Sequence, residues 1–275
     1  MSLNRSLIRS LSRPMAALFL ALAPLAAQSV VIQPSQAEKA TETRTVPLAA
    51  GSTLRVRNVN GHIRVEAWDR AEVQFTGEFK PSSEGEQVKV VLEPRSGGLD
   101  IRGEYPKHDG WGSYRGPQCQ MTLKVPREVR PTLDTVNGEI SLTGTRGEAS
   151  LTTVNGAVHA SGLEAALKAK TVNGTVTLDR VSGALELGTV NGGIKGSGLD
   201  GKGGGIKAET VNGAIHLQLA GLKGRLRAST MNGDISFNAK GAEQVEIKKH
   251  RVSAVFPGSD QAIEVSTVNG GITLE

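Results

Sequence analysis

The side chains in this sequence able to ligate a metal or carry a proton are dispersed. His159 and His216 each stand four residues after an asparagine, Asn155 and Asn212, with the equivalent Asn173 and Asn191 between them. If each asparagine marks one turn of a stacked structure, the two imidazoles lie three strand spacings apart, roughly 14 Å. Shared ligation, with bonds near ~2 Å, is out of reach. His62, His108 and His250 have no partner at ligand spacing. Glycan cleavage needs two converging carboxylates, or a carboxylate cluster around a cation. Asp134, Glu139, Glu186, Glu209, Asp234 and Glu264 instead fall at different phases or in turns separated by turns without an acid. The run Gly196–Gly205 has one acid, Asp200, and no helix pattern after it, so it reads as a long corner loop rather than a phosphate cradle. Cys119, the only cysteine, alternates with Met121, Leu123 and Val125 and reads as a small core residue. No catalytic residue, metal ligand or cofactor is assigned.

Two surface features remain. Tyr105, His108, Trp111 and Tyr114 sit in a Gly-rich polar loop, although aromatics make up only 3% of the chain. Such rings either stack on a sugar or partner protein or fold back to cap one end of the structure. Lys168, Lys170, Lys207, Arg225 and Arg227 fall at outward phases and read as one face of adjoining turns. That face is a candidate for an anionic envelope polymer, against the plainer reading of a solvated charged surface.

What must position these side chains is a repeat. Thr-Val-Asn-Gly occurs intact from Thr135, Thr153, Thr171, Thr189, Thr210 and Thr267, with variants at Asn58 and Thr230. Its asparagines, Asn137, Asn155, Asn173, Asn191, Asn212 and Asn232, are spaced by 18, 18, 18, 21 and 20 residues, then 37 to Asn269. The last gap predicts two turns, one degenerate. A fixed period near 20 residues marks a solenoid whose coils bury their apolar faces only by stacking. Three residues after each asparagine come Ile63, Ile140, Val158, Val176, Ile194, Ile215, Ile235 and Ile272; four before come Val56, Leu133, Leu151, Ala169, Leu187, Ala208, Ala228 and Val265. The flanking residues alternate with period two, so each coil holds two short strands. Asn-Gly makes the corner between them, because glycine lacks a Cβ and asparagine tolerates left-handed conformations. Stacking predicts a hydrogen-bonded ladder of Asn60, Asn137, Asn155, Asn173, Asn191, Asn212, Asn232 and Asn269.

The fold class expected is all-β: a single-stranded right-handed parallel β-helix of about 18–21 residues per coil with an irregular β section at its start. Residues 1–37 read as a secretory signal peptide, with Arg5, Arg9 and Arg13 before the apolar run Met15–Ala27. Cleavage follows Ala27 or Ala37, the latter preferred. Removing 1–37 takes three arginines and no acid from a formal charge of +5, leaving +2. That balance excludes the dense basic stripe of a nucleic-acid binder. Residues 38–131 form the irregular section and 132–275 the regular coils; the 77-residue interval from Asn60 to Asn137, which lacks the phrase, is distorted coils or a capping sheet. The last residues, Gly271 to Glu275, stop inside a coil without a cap, which predicts a homodimer paired through the C-terminal coil.

Val59-Asn60-Gly61 with Trp68-Asp69, the step Val125-Pro126-Arg127 leading into Leu133 and the repeated Thr-Val-Asn-Gly resemble the bacterial putative-adhesin domain family of unknown function. The resemblance spans about residues 45–275. It implies a parallel β-helix of a secreted or envelope protein and carries over no catalytic residue. The function expected is a non-enzymatic exported protein of the periplasm or cell surface, adhesin-like or scaffolding, whose partner is an envelope glycan or protein. An envelope-stress or signalling accessory protein is the alternative, and a polysaccharide-active enzyme the third reading.

Overall fold

The computed structural model describes residues 28–34, 39–107, 115–219 and 221–275. Most of the expected leader, both of its candidate cleavage points, and His108, Trp111 and Tyr114 lie outside the described residues. The irregular section holds β1 (Val30–Ile32), β2 (Ala40–Pro47), β3 (Thr53–Arg57), β4 (Ile63–Trp68), β5 (Glu72–Lys80), β6 (Lys89–Arg95), β7 (Gly98–Glu104) and β8 (Gln118–Pro126). Regular coils follow as β9 (Arg130–Asp134), β10 (Ile140–Thr143), β11 (Ala149–Asn155), β12 (Val158–Leu163), β13 (Leu167–Asn173), β14 (Val176–Val181), β15 (Leu185–Asn191), β16 (Ile194–Ser197), β17 (Ile206–Asn212) and β18 (Ile215–Leu217). The chain closes with β19 (Gly224–Asn232), β20 (Ile235–Phe237), β21 (Glu243–Lys248), β22 (Arg251–Phe256), β23 (Ala262–Asn269) and β24 (Ile272–Leu274).

These strands make two facing sheets. The 13-stranded sheet runs β1-β6-β7-β3-β9-β11-β13-β15-β17-β23-β19-β22-β21, and the 11-stranded sheet β2-β5-β8-β4-β10-β12-β14-β16-β18-β24-β20. From β3 to β19 and from β4 to β20 every neighbour is parallel, and each coil gives one strand to each sheet. The core is the space between them, filled by the expected rows. Ile63, Ile140, Val158, Val176, Ile194, Ile215 and Ile272 are at most 1% exposed, whereas Ile235, on the edge strand β20, is only partly buried. Each such side chain contributes about 1.5–3 kcal/mol on burial, so the stack rather than any single coil holds the fold.

The section before the regular coils is both a distorted coil and a cap. β7 lies parallel to β3 and β8 parallel to β4, which extends the stack by one coil; β6 and β5 then add antiparallel strands, followed by β1 and β2. The division at residue 131 falls within β9, whose neighbours are β3 and β11, so the two sections are one body. β1 lies inside the expected leader, yet it pairs with β6 and Ile32 is 2% exposed. A leader ending at Ala27 leaves this strand in place; one ending at Ala37 removes it.

At the other end the structure departs from the order of the sequence. The 37-residue gap before Asn269 holds no degenerate coil. After β20 the chain forms the antiparallel pair β21–β22 on the outer side of β19, and β23 then enters between β17 and β19. β24 likewise lies between β18 and β20. The C-terminal coil is therefore interior. It does not present the open edge on which the expected homodimer rested, and the edges at this end belong to β20 and β21.

The corner glycines are also required for a reason other than the expected one. Neither the repeat asparagines nor Gly138, Gly156, Gly174, Gly192, Gly213, Gly233 and Gly270 adopt positive φ. Instead, a Cβ on any of these glycines would overlap the carbonyl oxygen of the glycine in the adjacent coil. At these seven the constraint is coil-to-coil contact, not turn conformation; Gly61, at the first coil, has both, with φ 132° and the Cys119 carbonyl where its Cβ would be. Left-handed φ occurs at the opposite corner, at Gly144 (76°) and Gly162 (61°), and Arg180 adopts it in the equivalent place with φ 51°. Gly174→Ala is expected to cost about 2–3 kcal/mol, the overpacking of a site with no room, read as a lowered urea midpoint; an unchanged midpoint contradicts the contact.

Candidate functional site

The Thr-Val-Asn-Gly corner carries three parallel columns, and each residue has its own use. The threonine points inward: Thr153 donates from Oγ1 to the Gly138 carbonyl and Thr171 to that of Gly156, both at 2.9 Å, and Thr135, Thr189, Thr210, Thr230 and Thr267 do the same to their neighbouring coils. The asparagines form the expected ladder. Asn137 donates from Nδ2 to Asn60 Oδ1 at 2.8 Å, and the series continues through Asn155, Asn173, Asn191 and Asn212. It then passes to Asn269 and from there to Asn232, both at 2.8 Å, in the spatial rather than the chain order. The valine points outward. Val136, Val154 and Val172 are each 38% exposed, a ridge the sequence reading left unremarked although its phase sets it opposite the inward threonine.

Tyr105 closes the ladder at its first coil. Its hydroxyl donates to Asn58 Oδ1 at 2.5 Å and accepts the Asn60 amide at 3.0 Å, while Asn58 Nδ2 reaches the Cys119 carbonyl at 2.8 Å. Burial holds the phenol well above its ordinary pKa. The half-buried Tyr105 thus plugs the corner through its hydroxyl, as the expected alternative of a ring folded back to cap one end has it. Cys119 is fully buried, and burial pushes its thiol up to about 12.

The expected basic face is a charge-balanced one. On the outer surface of the 13-stranded sheet, register sets Lys168, Glu186, Lys207, Glu264 and Arg227 side by side on successive strands. Insertion of β23 is what puts Glu264 between Lys207 and Arg227. Lys168 and Lys170 both reach Glu186, at 3.0 and 2.6 Å; Lys207 pairs with Glu209 at 3.1 Å and Arg225 with Asp260 at 3.1 Å. The two lysines hold the Glu186 carboxyl below the usual range. Exposed pairs of this kind contribute ~1 kcal/mol or less each, and the interleaved acids weaken the positive field of the face.

His159 and His216 lie on the other sheet, three strands apart, each beside a carboxylate of its own, Glu139 at 3.9 Å and Glu275 at 3.8 Å. Among the described residues no group of three His, Cys, Asp or Glu could hold a metal. Trp68, at the opposite corner, has Arg70 4.9 Å from its ring and lies beside the Asp69–Arg127 pair at 2.6 Å. The Gly-rich loop is a clamp. Asp200 accepts from Ser182 Oγ at 2.6 Å, Gly183 N at 2.9 Å and Lys202 N at 3.0 Å, and Gln261 Nε2 donates to the Asp200 carbonyl at 2.7 Å, tying the loop to the inserted final coil.

A family model described as Toastrack DUF4097 matches residues 130–275. No curated protein matches the chain. Solved structures similar to it include a putative cell adhesion protein from Clostridium sporogenes ATCC 15579, 13% identical, covering 86% of this chain and 99% of that one with a TM-score of 0.41. A putative adhesin from Bacteroides fragilis NCTC 9343 is 13% identical, covering 89% and 100%, with a TM-score of 0.41. A putative lipid binding protein from Parabacteroides distasonis ATCC 8503 is 12% identical, covering 86% and 96%, with a TM-score of 0.36.

Asp200 supplies a pH test of the clamp. Burial raises its pKa, but the hydrogen bonds from Ser182, Lys202 and Gly183 outweigh this and leave it at about 2, below the ordinary 3.8. A depressed carboxylate stabilises the fold above its ordinary pKa and loses that contribution as pH falls through its folded value. Asp200→Asn is expected to lower stability at pH 7 by about 1–2 kcal/mol, with the gap to the parent closing between roughly pH 4 and pH 2. A gap independent of pH in chemical unfolding would refute the role of the charge.

Proposed function

This chain belongs to the Toastrack DUF4097 family, and we propose that it is a non-enzymatic, exported scaffold of the bacterial envelope that presents a rigid face to a glycan or protein partner. The observation that supports this most is the fixed register of the outward side chains. Threonine and asparagine columns lock each coil to the next, so the outer face of the parallel run from β3 to β19 is an ordered array about 34 Å long at strand spacing. A surface ordered before binding avoids the entropic cost of ordering on contact. Its charges come in opposite-sign pairs, which favours recognition by shape and hydrogen bonds over bulk attraction. The apolar run Met15–Ala27 after three arginines supports export.

The test is cell fractionation of the full chain, followed by retention of the purified processed protein on washed envelope glycan and on detergent-solubilised envelope protein. Recovery outside the cytoplasm with saturable retention on one fraction, persisting at 0.5 M salt (about five times the ~0.1 M at which exposed charges are largely screened), is the result expected. Recovery of the unprocessed chain in the cytoplasm, or retention that salt abolishes, would count against the proposal.

A further inference from the structure

One strand carries a glycine that the fold does not require. Every other glycine within a described strand has a structural reason. An added Cβ would meet a neighbour at 3.0 Å or less at Gly77, Gly98, Gly103 and Gly196, and φ is positive at Gly162 and Gly224. Gly188, in the middle of β15, has neither. Its φ is not positive, and an added Cβ would meet nothing nearer than Lys170 Cγ at 3.7 Å, ordinary contact. A glycine there weakens the strand, and an interior strand glycine without a packing cause marks close approach by something else.

What the missing side chain leaves is a trough. Of the outward residues of this coil, Ala184, Gly188 and Val190 are short beside Lys168 and Lys170 on β13 and Lys207 and Glu209 on β17. Two depressions, of about 610 and 430 Å³, lie along it, one on each side of Glu186, to which Lys168 and Lys170 both reach. From Ala184 to Val190 the row is about 20 Å long at the rise of a strand, so a chain of linked rings can seat one at each end. Its chemistry is mixed. Val190 and Val211, each 40% exposed, form an apolar wall at one end, and ammonium and carboxylate groups line the rims.

We propose that this trough over β15 binds a neutral oligosaccharide, which rests on the reading of the chain as a surface for an envelope glycan. Charge decides the class. The lining carries Lys168, Lys170 and Lys207 against Glu148, Glu186 and Glu209, with Lys168 and Lys170 sharing Glu186 and Lys207 paired with Glu209, so a polyanion finds no net positive charge there. A neutral polyhydroxylated chain leaves every ion pair in place, uses the spare ammonium N–H groups and carboxylate lone pairs, and lays its C–H faces on the valines. Gly188 is where a ring comes closest to the backbone.

The experiment is titration of the full processed chain with chitotetraose, cellotetraose and tetragalacturonate, followed by backbone amide NMR, with Gly188→Val in parallel. The result expected is saturable shifts confined to residues 184–190 and their neighbours on β13 and β17 with a neutral tetramer. Gly188→Val should weaken binding at least tenfold, with a thermal midpoint equal to or above the parent's, so that lost binding cannot be lost folding. Equal affinity in the variant, a response only to tetragalacturonate, or no response to either neutral tetramer would overturn the proposal. The same chain retained on envelope glycan with no shift in the trough would overturn this site and leave the scaffold role standing, whereas failure of retention falls on that role itself.

Discussion

The fold depends on how closely two coils approach at the Asn-Gly corner. From Gly138 onward each corner glycine has the adjacent coil's glycine carbonyl where its Cβ would be, and that same carbonyl accepts the threonine hydroxyl. No larger residue fits, and without the threonine a buried hydroxyl bond of about 0.5–1.5 kcal/mol is lost per coil. The asparagine amides then bridge the same coils one residue further out. Thr-Val-Asn-Gly is therefore one device in which inward hydroxyl, outward methyls, bridging amide and missing side chain each have a separate physical cause. Its repetition sets the spacing of everything else, from the core rows to the paired charges outside.

Much of this was legible because period and phase are sequence properties. The core rows, two strands per coil and the asparagine ladder follow from alternation and a fixed interval. The glycine's cause was not legible: a turn glycine and a contact glycine look alike in one coil, and only the neighbour's carbonyl separates them. Nor was the order of stacking. Every coil offers the same apolar face and the same asparagine, so the slot between β17 and β19 accepts Asn269 as readily as Asn232. What decides is the hairpin β21–β22, which takes the outer side of β19 and sends the chain back inside.

The outer surface shows the same division. Which lysines point outward was readable from phase, but their pairing was not, since Glu264 comes beside Lys207 only through the inserted strand. Tyr105 looked like part of an exposed loop because the sequence gives no sign that its hydroxyl plugs the first corner in company with Asn58. Gly188 carried a visible signal, a glycine between Lys170 and Glu209 on the neighbouring strands, but its meaning required knowing that a side chain there would meet only Lys170, in ordinary contact. The face that results carries both signs of charge side by side and is recessed over one strand.

The coils stack in the order of their corner contacts rather than of the chain. Nuclear Overhauser measurements between assigned asparagine side-chain amides in the folded protein test this directly. Contacts are expected from Asn269 to both Asn212 and Asn232 and none between Asn212 and Asn232. A direct Asn212–Asn232 contact, with Asn269 at the end of the ladder, would contradict it.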